Sequence, residues 1–145
     1  MIAIAVFDLD GVLADSQERI RRALRPDGSV NPALIDQGIL EDVPVRRNIE
    51  WINALSTEYY THTQIWTARP ESTRQATMQW LDKVGIHCHC VRMANEFTGL
   101  EGAVALKRSW VRLVGPENIK FAVDDREEIV KMYWEEGVIA HQITI

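Results

Sequence analysis

The stretch AVFDLDGVLAD, residues 5–15, decides how the rest of the chain is interpreted. Its first residues, Ala5, Val6 and Phe7, are apolar, which is typical of a buried strand. That strand ends in two carboxylates, Asp8 and Asp10, and Gly11 follows at once. Like charges this close disfavour each other's ionised form. The pair is therefore either solvated and incidental, or held for a cation or a proton.

The composition predicts one globular domain over residues 1–145. The chain is 46% hydrophobic and 26% charged, which is ordinary for a soluble protein with a single core. Its first ten residues lack a basic leader and hold too short an apolar run to span a membrane. Two cysteines, Cys88 and Cys90, favour a reducing, cytoplasmic setting. The net charge of −5 argues against nonspecific coating of nucleic acid, although residues 18–25, ERIRRALR, form a local basic patch.

Apolar, β-branched runs alternate with segments of helical periodicity. The runs cover residues 2–7, 64–67, 87–93, 119–123 and 138–144, and the helical segments lie near 45–55, 70–84, 104–114 and 126–136. This alternation predicts an α/β protein with three αβα layers, Rossmann-like, around a five-stranded, mainly parallel sheet. Residues 14–44 break the pattern. We expect them to form a small insertion after the first strand, either a cap over the site or a surface excursion.

Chemistry-bearing residues follow the predicted strands. They are Asp8 and Asp10 after the first strand, Thr67, Ala68 and Arg69 at the second, Asp124 and Asp125 at the fourth, and Lys107 on the preceding helix. Each one alone is most often a turn, cap or solvated residue. Ligands of parallel sheets, however, bind beyond the carboxyl ends of the strands, where these two acidic pairs would meet. Crowded carboxylates need a counter-ion, and hard oxygen ligands favour Mg²⁺.

This residue set suits phosphoryl transfer. A carboxylate can attack phosphorus to give an aspartyl-phosphate that water then clears. A second acid can protonate the leaving oxygen and later activate the water. Mg²⁺ would offset the repulsion between carboxylate and phosphate, and hydroxyl, Lys and backbone N–H groups would hold the phosphoryl oxygens.

The motifs FDLDGV (7–12), IWTAR (65–69), Lys107 and AVDDR (122–126) stand in the order found in one superfamily. With them, the chain resembles the haloacid dehalogenase-like (HAD) superfamily of phosphohydrolases. The resemblance implies that Asp8 is the nucleophile and Asp10 the general acid/base. It further implies that Thr67, Ala68 and Lys107 bind the phosphoryl group, and that Mg²⁺ is held by Asp8, the Asp10 carbonyl, Asp124 and Asp125. Which of the last two acids binds the metal directly stays open.

Two longer stretches are similar to the phosphatase domain of phage-type polynucleotide kinase–phosphatases. They are IWTARPESTRQATMQWL (65–81) and KFAVDDREEIVKMYWEEGV (120–138). The likeness implies a nucleic-acid 3′-phosphate end as substrate. It also implies that Arg69 contacts the substrate phosphate, with Arg19 or Arg22 as a further contact. No G-x-x-x-x-G-K-[ST] motif occurs, so no kinase activity is expected.

Three other functions compete with this interpretation. A phosphatase for mononucleotides or other small phosphomonoesters would use the same residues, and the acidic net charge mildly favours it. A non-catalytic phosphate-binding module would be expected to have lost one of the acids. A receiver domain is excluded by the order of acids and Lys along the chain.

A zinc site at HCHC, residues 87–90, is disfavoured because successive side chains of a strand alternate between faces.

Overall fold

The computed structural model describes residues 2–145. The strands are β1 (Ala3–Phe7), β2 (Ala14–Asp15), β3 (Val43–Pro44), β4 (Thr61–Pro70), β5 (Cys90–Ala94), β6 (Ile119–Asp124) and β7 (Ala140–Gln142). The helices are α1 (Gln17–Ala23), α2 (Pro32–Asp36), α3 (Arg46–Ser56), α4 (Arg74–Val84), α5 (Leu100–Val114) and α6 (Glu127–Glu135). The predicted strands and helices are confirmed, with ends displaced by a few residues. No helix in this part of the chain is long and apolar enough to cross a membrane.

Five strands form one parallel sheet in the order β5-β4-β1-β6-β7, which confirms the predicted α/β class. The chain adds strands from β1 through β4 to β5 on one side, and then β6 and β7 on the other. The direction of winding therefore reverses between β1 and β6. At such a reversal the helices diverge and leave a crevice at the carboxyl ends of the strands.

Alternate residues of the central strands fill two apolar layers. Phe7 and Ile65 pack with Trp80 against α3 and α4 on one face of the sheet. Val6 and Trp66 pack against α5 and α6 on the other. Because both faces are covered, the central strand β1 carries continuous apolar sequence, AIAVF, and the end of this run determines which residues reach the carboxyl edge.

The insertion over residues 14–44 closes on itself. Its ends form an antiparallel ladder between β2 and β3, in which Ala14 lies opposite Pro44. Two hydrogen bonds attach it to α4: Trp80 Nε1 donates to the Asp42 carbonyl at 2.9 Å, and Lys83 Nζ donates to the Leu40 carbonyl at 2.8 Å. The insertion therefore forms a lobe anchored beside the carboxyl edge of the sheet.

The HCHC stretch lies only partly in a strand. β5 begins at Cys90, so the expected alternation over residues 87–90 is wrong for the first three positions. The His89 ring instead stacks on His62 at 4.5 Å, and its Nδ1 accepts a hydrogen bond from the Thr63 backbone N–H at 3.0 Å.

Candidate active site

A buried lysine bridges the acids of the two central strands. Asp8 follows β1 directly and Asp124 ends β6, so the neighbouring strands bring both carboxylates to one point. Lys107 Nζ, fully buried, donates to Asp8 Oδ1 at 2.9 Å and to Asp124 Oδ2 at 2.6 Å. Its charge offsets part of the repulsion between the two acids. A single lysine is a weak sequence signal, but the structure places Lys107 between two of the predicted acids.

Asp125 completes a group of three carboxylates. Asp8, Asp124 and Asp125 each offer an oxygen within 4.8 Å of the other two. Burial, and then the charge of Asp124, raise the pKa of Asp8 to about 7 against the opposing effect of Lys107. The same two influences raise the pKa of Asp125. Asp125 Oδ1 is buried and has no hydrogen-bond partner within residues 2–145. One lysine for three acids and an orphaned carboxylate oxygen fit a hard divalent cation such as Mg²⁺.

Gly11 makes room for this group. Its φ of 84° lies in the left-handed region, which side chains disfavour. A Cβ at this position would also lie 2.2 Å from Asp125 Oδ2. Two independent constraints therefore require glycine after the Asp8-Leu9-Asp10 stretch.

Asp10 belongs to a separate network with two arginines. Arg69 donates from Nε to Oδ2 at 2.9 Å and from Nη2 to Oδ1 at 2.7 Å, while Arg19 Nη2 reaches Oδ1 at 3.2 Å. Burial by itself would raise the pKa of Asp10, but Arg69 and then Arg19 outweigh it and lower the pKa to about 2. The two arginines thus favour the ionised form of Asp10.

Asp42, on the insertion, binds both arginines from the other side. It accepts from Arg19 Nε at 2.9 Å and from Arg69 Nη2 at 2.9 Å. The Asp42 side chain is only 2% exposed. No motif marks this residue, because Glu41-Asp42 resembles any acidic loop. We call Asp10, Arg19, Asp42 and Arg69 the arginine–aspartate network.

The remaining predicted residues differ in whether they line the cleft. Thr67 is buried at the cleft, where its Oγ1 accepts from the Arg69 backbone N–H at 3.2 Å, and Ala68 lies beside it. Arg22 does not line this cleft; it is exposed and pairs with Glu18 at 3.1 Å. The structure therefore brings Arg19 and Arg69 to the site but not Arg22.

A cleft of about 630 Å³ lies above these groups. Asp8, Asp10, Thr67 and Asp125 line it at the sheet. Further lining comes from the insertion, from residues 97–100, and from Arg126, whose charge acts to lower the pKa of Asp8. The cleft therefore connects both acidic centres to solvent.

Similar folds occur among solved structures, although no family model and no curated protein matches the chain. A haloacid dehalogenase-like hydrolase from Streptococcus pneumoniae superposes with a TM-score of 0.70 at 18% identity, covering 99% of this chain and 85% of that one. The chain has the haloacid dehalogenase-like fold. A HAD enzyme from Bacteroides thetaiotaomicron, in complex with magnesium and inorganic phosphate, superposes with a TM-score of 0.60 at 14% identity over 98% of this chain and 94% of that one.

A chain of the Pnkp1/Rnl/Hen1 RNA repair complex also has this HAD-like fold. It superposes with a TM-score of 0.72 at 18% identity over 99% of this chain. A second structure of the Pnkp1/Rnl/Hen1 complex gives 0.74 at 20% identity over 98%. The present chain spans 42% and 46% of those two chains, so it corresponds to less than half of each.

Within the HAD-like fold, the sequence motifs account for the acids and the lysine but not for everything around them. Asp42, Arg126, Phe97 and Thr98 were given no role from the sequence. Arg126 stands beside a predicted acid, which is a usable signal. Phe97 and Thr98 lie in a loop whose sequence carries no motif.

Proposed function

We propose that this protein is a Mg²⁺-dependent phosphomonoesterase that works through an aspartyl-phosphate on Asp8. The observation that carries the proposal is the floor of the cleft. Asp8, Asp10 and Asp125 line it, Lys107 bridges Asp8 to the buried Asp124 just beneath, and one oxygen of Asp125 has no partner among residues 2–145. Asp8 lies in the acidic group that would hold the cation, whose charge would favour its ionised, nucleophilic form, and Asp10 is a second carboxylate of the cleft that could carry the proton.

In the first half-reaction a carboxylate oxygen of Asp8 attacks phosphorus. A P–O bond forms to Asp8, the bond to the leaving alkoxide breaks, and Asp10 gives its proton to that oxygen. Thr67 and Lys107 would hold the phosphoryl oxygens. Asp8, Asp124 and Asp125, with the Asp10 carbonyl, would bind Mg²⁺. When bound, the cation supplies positive charge that keeps Asp8 ionised and offsets its repulsion from the phosphate.

In the second half-reaction water attacks the phosphorus of the aspartyl-phosphate. Asp10, now a carboxylate, takes a proton from the water; the bond to Asp8 breaks and inorganic phosphate leaves. Arg69 and Arg19 favour the ionised form of Asp10, which suits this step. The proton that Asp10 delivers in the first half has to be acquired when substrate binds. The negative charge of the ester acts in that direction because it raises the pKa of a neighbouring acid.

For the substrate we propose a 3′-phosphate at a nucleic-acid end. The likeness of the fold to a chain of an RNA repair complex supports this substrate, together with the two stretches that resemble polynucleotide 3′-phosphatases.

A mononucleotide or other small phosphomonoester is the second candidate, and the charge of the cleft favours it. Arg19 and Arg69 are already paired with carboxylates, and Asp15 and Asp36 add negative charge to the lining. Binding of a polymer depends strongly on cations that neutralise its phosphates, and Arg126 is the remaining arginine that lines the cleft.

The test is release of inorganic phosphate with Mg²⁺ and with EDTA. The substrates are a 3′-phosphorylated oligonucleotide, 3′- and 5′-mononucleotides, and an aryl phosphate. We expect the oligonucleotide to be hydrolysed with Mg²⁺ and not with EDTA. Turnover of mononucleotides without turnover of the oligonucleotide would select the second candidate. No turnover of any phosphate ester would overturn the proposed activity.

A further inference from the structure

Apolar side chains stand at the mouth of the cleft, where the proposed chemistry gives them no part. Phe97 is 53% exposed, Leu100 39% and Ile20 40%, and all three line the cleft that contains Asp8. They come from two distant segments: Ile20 lies on α1 of the insertion, and the other two lie where the chain enters α5. Exposed apolar surface continuous with a catalytic cleft is typical of a ligand-binding wall.

Thr98, between Phe97 and Leu100, is a polar residue among those that line the same cleft. Its Oγ1 is buried and has no hydrogen-bond partner in the described part of the chain. The residue is also tightly packed, because a Cβ on Gly102 of α5 would lie 2.7 Å from the Thr98 Cβ. The first turn of α5 therefore anchors the segment that carries Phe97. A buried hydroxyl without a partner loses its hydrogen bonds to water, and a ligand group could restore one.

We propose that Phe97, Leu100 and Ile20, with the Thr98 hydroxyl, form a subsite for the leaving group of the phosphomonoester, and that this leaving group is a nucleoside. The inference rests on the proposed phosphatase function and specifies its substrate. A nucleoside combines a planar base, which stacks on an aromatic ring, with hydroxyl and ring groups that can bond to Thr98 Oγ1. A short aliphatic alcohol as the leaving group has no flat face to stack on Phe97. A sugar as the leaving group would leave the apolar side chains of Phe97, Leu100 and Ile20 uncovered.

The subsite recognises one nucleoside rather than a run of phosphates. Arg19 and Arg69 already bind Asp10 and Asp42, so their charges are largely neutralised. The nucleoside could come from a free 3′-mononucleotide or from the last residue of a polymer. The subsite recognises what the two share, and the substrates of the test separate them.

The experiment compares kcat/KM for a nucleoside 3′-phosphate, a 3′-phosphorylated oligonucleotide and glycerol phosphate, all with Mg²⁺. The variants are Phe97→Ala and, as a control, Tyr59→Ala, an aromatic residue that is 88% exposed and does not line the cleft. Losing one base–aromatic stack should lower kcat/KM for the nucleoside ester about 5- to 150-fold, mainly through KM. The glycerol phosphate value should stay at the wild-type level, and Tyr59→Ala should change neither. An equal loss of both activities in Phe97→Ala would overturn the proposal.

Two further variants separate stacking from folding defects. Phe97→Trp should retain or improve use of the nucleoside ester, and Thr98→Val should lower it while preserving the packing on Gly102. If Phe97→Trp loses as much as Phe97→Ala on every substrate, the ring has no recognition role.

Binding of the nucleoside 3′-phosphate, measured by calorimetry, keeps the two proposals distinguishable. Binding that depends on Phe97 without any hydrolysis would overturn the phosphatase function and leave the subsite standing. Hydrolysis of all esters at equal efficiency, with no effect of Phe97→Ala, would overturn the subsite alone. A wild-type kcat/KM for the oligonucleotide well above that for the nucleoside 3′-phosphate, with both lowered by Phe97→Ala, would identify the polymer end as the source of the nucleoside.

Discussion

Asp42 and Glu18 are both carboxylates of the insertion, and each binds two arginines. Asp42 pairs with Arg19 and Arg69 inside the protein, where its side chain is 2% exposed. Glu18 pairs with two arginines of α1 in solvent, where it is 55% exposed. Replacing each of them with alanine therefore removes the same chemistry from two environments. We predict a large loss of stability for Asp42→Ala and little change for Glu18→Ala.

The magnitude follows from what Asp42→Ala leaves behind. Removing one partner of a buried ion pair strands an uncompensated charge and typically lowers the free energy of unfolding by about 3–5 kcal/mol. For a chain of this size, about 2–4 °C of melting temperature corresponds to each kcal/mol, so the melting temperature should fall by roughly 6–20 °C. The pairs of Glu18 are screened by water and salt, and Glu18→Ala should melt close to the wild type.

Thermal melts by circular dichroism and urea titrations of the three proteins give the comparison. Asp42→Asn is a useful intermediate, because it keeps an acceptor oxygen and removes the charge. Phosphatase activity of Asp42→Ala, measured well below its melting point, should also fall, since Arg69 and Arg19 lose a partner that orients them on Asp10. If Asp42→Ala and Glu18→Ala melt together, the arginine–aspartate network does not hold the insertion in place.

Three other predictions concern the acidic centre. The pKa of Asp8, raised from 3.8 to about 7, means that the folded protein keeps a proton that the unfolded chain releases. In EDTA its free energy of unfolding should therefore fall by up to about 4 kcal/mol as pH rises from 4 to 8. Urea melts of Asp8→Asn should show a clearly smaller decline, because only Asp125 of the acidic centre then has a raised pKa. Gly11→Ala should weaken Mg²⁺ binding, measured by calorimetry, because the new Cβ would displace the Asp125 side chain. Gly28→Ala is the control: Gly28 has a similar positive φ but open space around it, so this variant should bind Mg²⁺ as the wild type does. Lys107→Met should abolish hydrolysis of an aryl phosphate. It should also unfold more readily at pH 8 than at pH 5, because protonation at the lower pH removes the repulsion between carboxylates that the lysine no longer neutralises. Equal stability of this variant at both pH values would contradict that prediction.

The parts of the site that could be predicted are those attached to regular strands. A run of apolar residues fixes where β1 and β6 end, and the next side chains necessarily meet at the edge of a parallel sheet. Asp8, Asp124 and Thr67 follow from that rule alone. Lys107 needed the family motif as well, because nothing in the sequence of a helix face shows that one lysine turns inward.

The arginine–aspartate network could not be predicted, because it depends on how the insertion packs. The contact between Asp42 and Arg69 depends on the pairing of β2 with β3 and on the packing of the insertion against α4. The same packing turns Arg19 inward and Arg22 outward, although both occur in one basic segment. The sequence predicts Arg19 or Arg22 as a further substrate contact without choosing between them, and only burial distinguishes the two.

A search for the covalent intermediate tests the role of Asp8 most directly. The protein is mixed with a ³²P-labelled phosphomonoester and Mg²⁺, quenched in acid within one turnover, digested and mapped. We expect label on the peptide that contains Asp8, and none in Asp8→Asn or in EDTA, while Asp36→Asn, which changes another acid of the cleft lining, labels normally. Undiminished hydrolysis by Asp8→Asn, or label on a different residue, would show that Asp8 is not the nucleophile.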